Sequence, residues 1–452
     1  MKLKIHTGPF MALLAVLLCM AASSCREKLP DESTRHPRRV LILYSGAYND
    51  ISGYLREDIQ DLCKGYLPKK GKKNDIMLVF SKLPQNKTDK GKYSYTGDSP
   101  SLVMLTSDKK GNAVKDTLKI WPAGTIASSA ETMREVLSYV KDEFPANSYG
   151  LIFSSHASGW LPEGYYQSPS TYENSYSGAE PFRVREYFPP IEQDPSLPAV
   201  KSLGKDFIGS SSDFVEMDIN DFAEALPMHF EYILLDCCLS GGIEVAYALR
   251  NKASYIGFSP TEVIAEGFDY KSLTTRLLKP ATPDPELVCR DYFEQYRVPY
   301  DKDSDDESER KRYEKAVTED KYSATITFLD TKGLERVAEV CAGLNSRYRE
   351  AIAALSGTDI QGYFRLNRHF FYDLMDIYVH AGITEDEKAV LQEALDNCIT
   401  YKEATAYFFG KSGFKINTYS GLSMYLPSKG SAYLNKFYRE EIEWNDAVKL
   451  VD

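Results

Sequence analysis

Histidine is the scarcest acid–base group in this chain, with six in 452 residues. His6 falls in the leading apolar segment, which leaves His36, His156, His229, His369 and His380 for any proton transfer. Cysteine is sparse too, eight in all, and no CxxC pair stands with histidines at zinc-ligand spacing, which excludes a zinc-ribbon type of site. Nor is the spacing that of a small disulfide-stapled domain. Basic residues are in deficit, 54 against 65 acidic, for a net charge of −11, which argues against a nucleic-acid partner. That balance fits plain solubility, or a groove for basic ligands. No apolar run reaches the roughly 20 residues of a membrane-spanning helix, and no internal repeat is present, which sets a stacked-repeat architecture aside.

What is there begins with an address. Lys2 and Lys4 precede an apolar run at 9–20, followed by small residues, the order of an export signal over 1–24. Removing it leaves 52 basic residues against 65 acidic, a balance of −13. Cys25, after Ala22, Ser23 and Ser24, resembles the lipobox of bacterial lipoproteins, which implies lipidation of Cys25 and a membrane partner held through that N-terminal anchor. The expectation is an exported protein, anchored at the outer membrane or cell surface, or else periplasmic or secreted. Residues 25–37 read as a polar tether.

Beyond the tether, RRVLILYSGAY (38–48) reads as a strand leading into a helix over 49–65, and strands follow at 75–83, 101–108 and 114–121. Ser128, Ser129 and Glu131 offer capping chemistry for a helix reaching 144. YGLIFSSHASGW (149–160) and EYILLDCCLSGG (231–242) share one form: an apolar run that stops abruptly at polar or reactive residues, as a buried strand delivering a side chain to a sheet edge does. Such alternation predicts an α/β fold with helices covering the sheet. Residues 157–214 lack periodicity, a length of structureless chain that is uncommon in a compact domain unless it has a function. The charged run at 301–312 reads as a solvated linker.

The two strand ends carry the candidate chemistry. Cys238 precedes a helical pattern whose partly positive N-terminus would stabilise a thiolate. Cys237 should point to the opposite side of the strand, and a buried cysteine there is ordinary packing. The two have Cα atoms about 3.8 Å apart, below the roughly 4.4 Å lower limit of bridged pairs, so at least one is a free thiol. Among the histidines only His156 leaves the carboxyl end of an apolar strand as Cys238 does, and open α/β sheets place their sites on that edge. Asp236, two residues before Cys238, shares its face. Capping a helix is the plain structural alternative for Asp236, an exposed loop charge the one for Glu266.

SSHASGW and DCCLSGGIEVAYALR resemble the SHGxGW-like and DACLMGxxEVAYxLR-like motifs of clostripain-family cysteine peptidases, relatives of the caspases, gingipains and legumains. IGFSPTEVIAEGFDY, DLMD at 373–376 and GLSMYLP match as well. The resemblance runs from about residue 39 to the C-terminal part. It implies a caspase-like, mostly parallel sheet flanked by helices over 38–299, then the linker at 300–320 and a mixed α/β C-terminal region at 321–452. It places the nucleophile on Cys238, the proton-transferring histidine on His156, and the oxyanion hole on the backbone N–H groups of Cys238 and Ala157, where the family has glycine. Asp236 and Glu266 fall on the acids that bind an Arg or Lys side chain before the cleaved bond, so the implied partners are proteins or peptides with basic residues. Family members can be cut between histidine and cysteine, here at Arg183, Arg185, Lys201 or Lys205. Calcium dependence occurs in the family, but no ligand set is identifiable, and no other cofactor is expected. Two competing readings remain: a binding or adhesion lipoprotein that kept the fold and lost activity, and a cysteine acyltransferase or transpeptidase.

Overall fold

Nine strands form one mixed sheet in the computed structural model of the chain. The structure describes residues 38–165 and 217–452 apart from 47, 72–73, 88–90, 92 and 366–368, together with the backbone of 206–208 and 213–215. The signal, Cys25, the tether and the basic residues Arg183, Arg185, Lys201 and Lys205 lie outside the described residues.

The strands of the large sheet are β1 (Arg39–Ser45), β2 (Asp75–Ser81), β3 (Ser101–Ser107), β4 (Ala113–Ile120), β5 (Ser148–Ser154), β6 (Phe230–Asp236), β7 (Ala253–Phe258), β8 (Thr325–Asp330) and β9 (Ile399–Ala404). Across the sheet they run β9-β8-β7-β6-β5-β1-β2-β3-β4. The five central strands are mutually parallel, and the two outer pairs add antiparallel strands. All seven residues of β1 are buried, as expected of a parallel strand covered on both faces.

Helices α1 (Ser52–Leu62), α2 (Ala130–Glu143), α3 (Ile219–Ala225), α4 (Ile243–Leu249), α5 (Tyr270–Leu277) and α6 (Pro285–Tyr296) surround these strands. Helices α1, α5 and α6 pack side by side, as do α2, α3 and α4, so each set covers one face. Ser129 caps α2 by accepting from the Thr132 N–H, which confirms the capping chemistry expected there. Chain order reverses between β1 and β5: the chain runs outward through β2, β3 and β4, then returns to the other side of β1. The crevice beyond the carboxyl ends of β1 and β5 is therefore a topological switch point.

The stretch expected to be a linker departs from that reading. Residues Glu307–Ala316 form helix α7, capped by the Asp306 side chain on the Ser308 N–H and carrying a Glu307–Lys311 pair one turn apart. Its charge is that of a solvated helix face. Beyond it, β8 and β9 extend the same sheet, and α8 (Leu334–Ala354), α9 (Leu374–His380), α10 (Glu385–Cys398), α11 (Ala432–Glu441) and α12 (Glu443–Val448) complete the molecule. Residues 38–452 form one compact unit.

Two of the matched C-terminal motifs converge on the turn after Cys238. Tyr372–Asp373 pairs with Ser423–Met424. The Ser423 N–H donates to the Gly241 carbonyl at 3.0 Å, and the Tyr425 N–H donates to Glu244 Oε1 at 2.8 Å.

Candidate active site

Register brings the two strand ends together. Ser154 of β5 pairs with Asp236 of β6, so His156 and Cys238 each stand two residues beyond that last pair on neighbouring strands. Ser45 of β1 pairs with Ser154 on the other side, and the chain leaving β1 turns back at Asp50 into α1. His156 is buried, and its Nε2 lies 3.2 Å from Asp50 Oδ1 across the switch point, while Nδ1 has no partner among the described residues. Sequence reasoning missed Asp50. It stands in no motif, and the only available signal was its position just after the carboxyl end of a central strand.

Cys238 is fully buried. Its Sγ accepts from the Val263 N–H at 2.9 Å and lies 3.6 Å from the Val263 carbonyl. The turn that follows is tightly determined: Leu239 adopts φ 57° and donates its N–H to the Thr261 carbonyl at 2.8 Å. A left-handed leucine is strained, which is a common feature of functional turns. Gly159, at φ +66°, approaches so closely that an added Cβ would stand 2.6 Å from the Leu239 carbonyl. The histidine loop and the cysteine loop are thus in backbone contact at a position only glycine satisfies.

Asp236 caps no helix. It is 1% exposed, accepts from the Tyr270 hydroxyl at 2.6 Å and from the Ser154 hydroxyl at 3.2 Å, and shares the α1/α5 face with Cys238. Burial, then the carboxylates of Asp236 and Asp58, push the Tyr270 phenol well above its ordinary value, so it stays a donor at neutral pH. Tyr296 is raised likewise by burial, then by Asp236, Glu266 and Asp58, and its hydroxyl donates to the Gly267 carbonyl at 3.0 Å. Tyr292, raised by burial and then by Tyr296, Asp236 and Cys238, has a hydroxyl without a partner among the described residues. Glu266 is exposed, yet it acts on Tyr54 and Tyr296 and so belongs to the same cluster. Asp58, on the buried side of α1, is a third acid in this neighbourhood that the sequence reading did not single out.

Ala157 and Cys237 lie together with His156 on the lining of a cavity on the opposite face of β5 and β6. Cys237 therefore points away from Cys238, as strand alternation predicts. Cys63, Cys237, Cys238, Cys289, Cys341 and Cys398 form no disulfide with one another. Among the described residues no cluster of three or more His, Cys, Asp or Glu could hold a metal ion, and no helix is long and apolar enough to cross a membrane.

A mostly parallel sheet that presents a cysteine and a histidine from adjacent strand ends, with a buried carboxylate two residues before the cysteine, is the architecture of the caspase-like cysteine peptidases. The chain belongs to the clostripain family, whose pattern matches residues 43–181 and 192–449, and it is a cysteine-type peptidase. Among solved structures it is similar to an inactive zymogen of a C11 protease from Parabacteroides distasonis, at 24% identity and TM-score 0.67, covering 91% of this chain and 98% of that one. It is also similar to a secreted C11 cysteine protease from Bacteroides thetaiotaomicron in complex with an irreversible peptide inhibitor, at 20% identity and TM-score 0.65, covering 91% and 98%. No curated protein matches the sequence.

Proposed function

We propose that the protein is an exported endopeptidase, lipid-anchored through Cys25, that cleaves after Arg or Lys with Cys238 as nucleophile and His156 as proton carrier. The observation that carries this reading is the buried carboxylate of Asp236 on the face of Cys238, with Glu266 and Asp58 acting on the same tyrosines. A substrate guanidinium or ammonium entering there would meet charge-assisted acceptors in a region of low dielectric.

In the reaction, the Cys238 thiolate attacks the scissile carbonyl carbon, and the backbone N–H groups of Cys238 and Ala157 hold the oxyanion. The C–N bond breaks as His156 gives a proton to the leaving amine, and water, deprotonated by His156, then hydrolyses the thioester. Because Val263 covers Sγ in the conformation described, the reading includes an opening step in which the segment after Thr261 moves off Cys238. Self-cleavage after Arg183, Arg185, Lys201 or Lys205 is one route to it.

Fluorogenic peptides ending in Arg or Lys, offered to the purified mature protein under reducing conditions with and without calcium, test the reading. Cys238→Ser and His156→Ala should abolish turnover, and Cys237→Ser should keep it. Asp236→Asn should lower kcat/KM on basic substrates by about a hundredfold or more, as loss of a charged pair does. Intact, uncut chains for both wild type and Cys238→Ala after incubation would sink self-cleavage. No turnover, together with no labelling of Cys238 by a basic electrophile, would sink the peptidase specificity and favour a binding module on this fold.

A further inference from the structure

The cavity on the far side of the strand pair has a volume of about 60 Å³ and lies where β5 and β6 end. Strand alternation separates it from Asp236, while Asp218 is on its own lining. Asp236 and Cys238 face α1 and α5, whereas Phe153, Leu235 and Cys237 face α3 and α4 and line the cavity. Ile219 and Phe222 of α3 supply another wall. His156 and Ala157, the residues just beyond β5, form the wall nearest the sheet edge. A single-water site needs roughly 10–15 Å³ in this measure, so the space takes about four to six atoms of that size.

On the peptidase reading a side chain directed at Asp236 would lie on one face of the sheet, with the scissile bond at the edge where the strands of His156 and Cys238 end. The chain on the amine side of that bond would continue past His156 toward the other face. There it would meet this mostly apolar cavity, whose lining also includes Asp218 and Ser128, Ser155, Ser158 and Ser240. We propose that this cavity receives the side chain of the residue following the cleaved bond and selects a small aliphatic one, such as alanine or valine, over acidic or bulky aromatic residues. The inference rests on the peptidase reading above and adds a second specificity element to it.

Burying an aliphatic group of this size contributes about 1–2 kcal/mol, on the order of a tenfold preference in kcat/KM. An acidic side chain would be desolvated among Phe153, Ile219 and Phe222 and would face the Asp218 carboxyl group, which also lines the cavity.

The test uses internally quenched peptides identical but for the residue after a fixed arginine: Gly, Ala, Val, Leu, Trp or Asp. Expected is a preference of at least fivefold for Ala and Val over Trp and Asp. Val245→Ala, which deepens the cavity from α4, should raise the Leu-to-Ala ratio several-fold, and Ile219→Trp, which fills it, should bring the Val-to-Gly ratio toward one. Ratios within one enzyme preparation are independent of the folded fraction, so a destabilised variant still reports. Turnover with ratios flat within twofold in wild type, or unmoved in both variants, overturns the cavity assignment while leaving the peptidase reading intact. Turnover of none of the peptides overturns the peptidase reading and this inference with it.

Discussion

At the scale of single residues the contact between Asp50 and His156 has the clearest consequence. A carboxylate 3.2 Å from Nε2 orients the ring and favours the tautomer with the proton on that nitrogen, which on the proposed mechanism would leave Nδ1 for proton transfer. On that mechanism Asp50 would act through His156, as a positioning residue. Asp50→Asn should lower kcat about ten- to a hundredfold with KM nearly unchanged. Asp50→Glu should recover part of the loss. A purely structural role would not split kcat from KM in this way, and an Asn variant within twofold of wild type in kcat would sink the assignment.

At the scale of elements, the segment joining β7 to α5 both covers Cys238 and carries Glu266. Its near end is held by three hydroxyls: Ser259 and Thr261 each lie 2.8 Å from Thr325 Oγ1 of β8. Its middle is held by an ion pair from Glu262, with no side-chain exposure, to Arg365, 9% exposed, at 3.3 Å. Breaking one side of such a pair leaves a charge buried, so Arg365→Met should cost about 3 kcal/mol in chemical denaturation, and Glu262→Gln/Arg365→Met should return much of it. A single variant within 1 kcal/mol of wild type would show that the pair does not hold the segment. None of this was legible in the sequence, because Glu262 and Arg365 are about a hundred residues apart and match no spacing rule. Strands β1, β5 and β6 were legible, since burial on both faces writes an unbroken apolar run, and so were His156 and Cys238, since each ends one. Asp50 and Asp58 were not. Their roles arise from which strands become neighbours, and local pattern does not encode that. Helix α7 was misread because charge density alone masks a capped, salt-bridged helix.

At the scale of the whole molecule, Glu244 joins the helix that follows Cys238 to the C-terminal layer. Its Oε1 accepts from the Tyr425 N–H and from the Tyr438 hydroxyl, both at 2.8 Å, while the side chain is entirely shut from solvent. Burial pushes its carboxyl up from 4.5 to about 7, against the downward pull of those hydrogen bonds. The folded protein therefore holds a proton that the unfolded chain has already released between those two values. Stability from this group is fully present below pH 4.5 and is lost as pH rises through about 7, a change of about 3 kcal/mol. Glu244→Gln keeps an oxygen for both tyrosines and cannot ionise. The variant should match wild type near pH 4.5, melt higher by a few degrees at pH 8, and show less stability loss between them. Thermal melts of both proteins across that range decide it. Parallel curves for the two would mean that Glu244 does not titrate in the folded state, and the pH sensitivity of the joint would then have to come from another group.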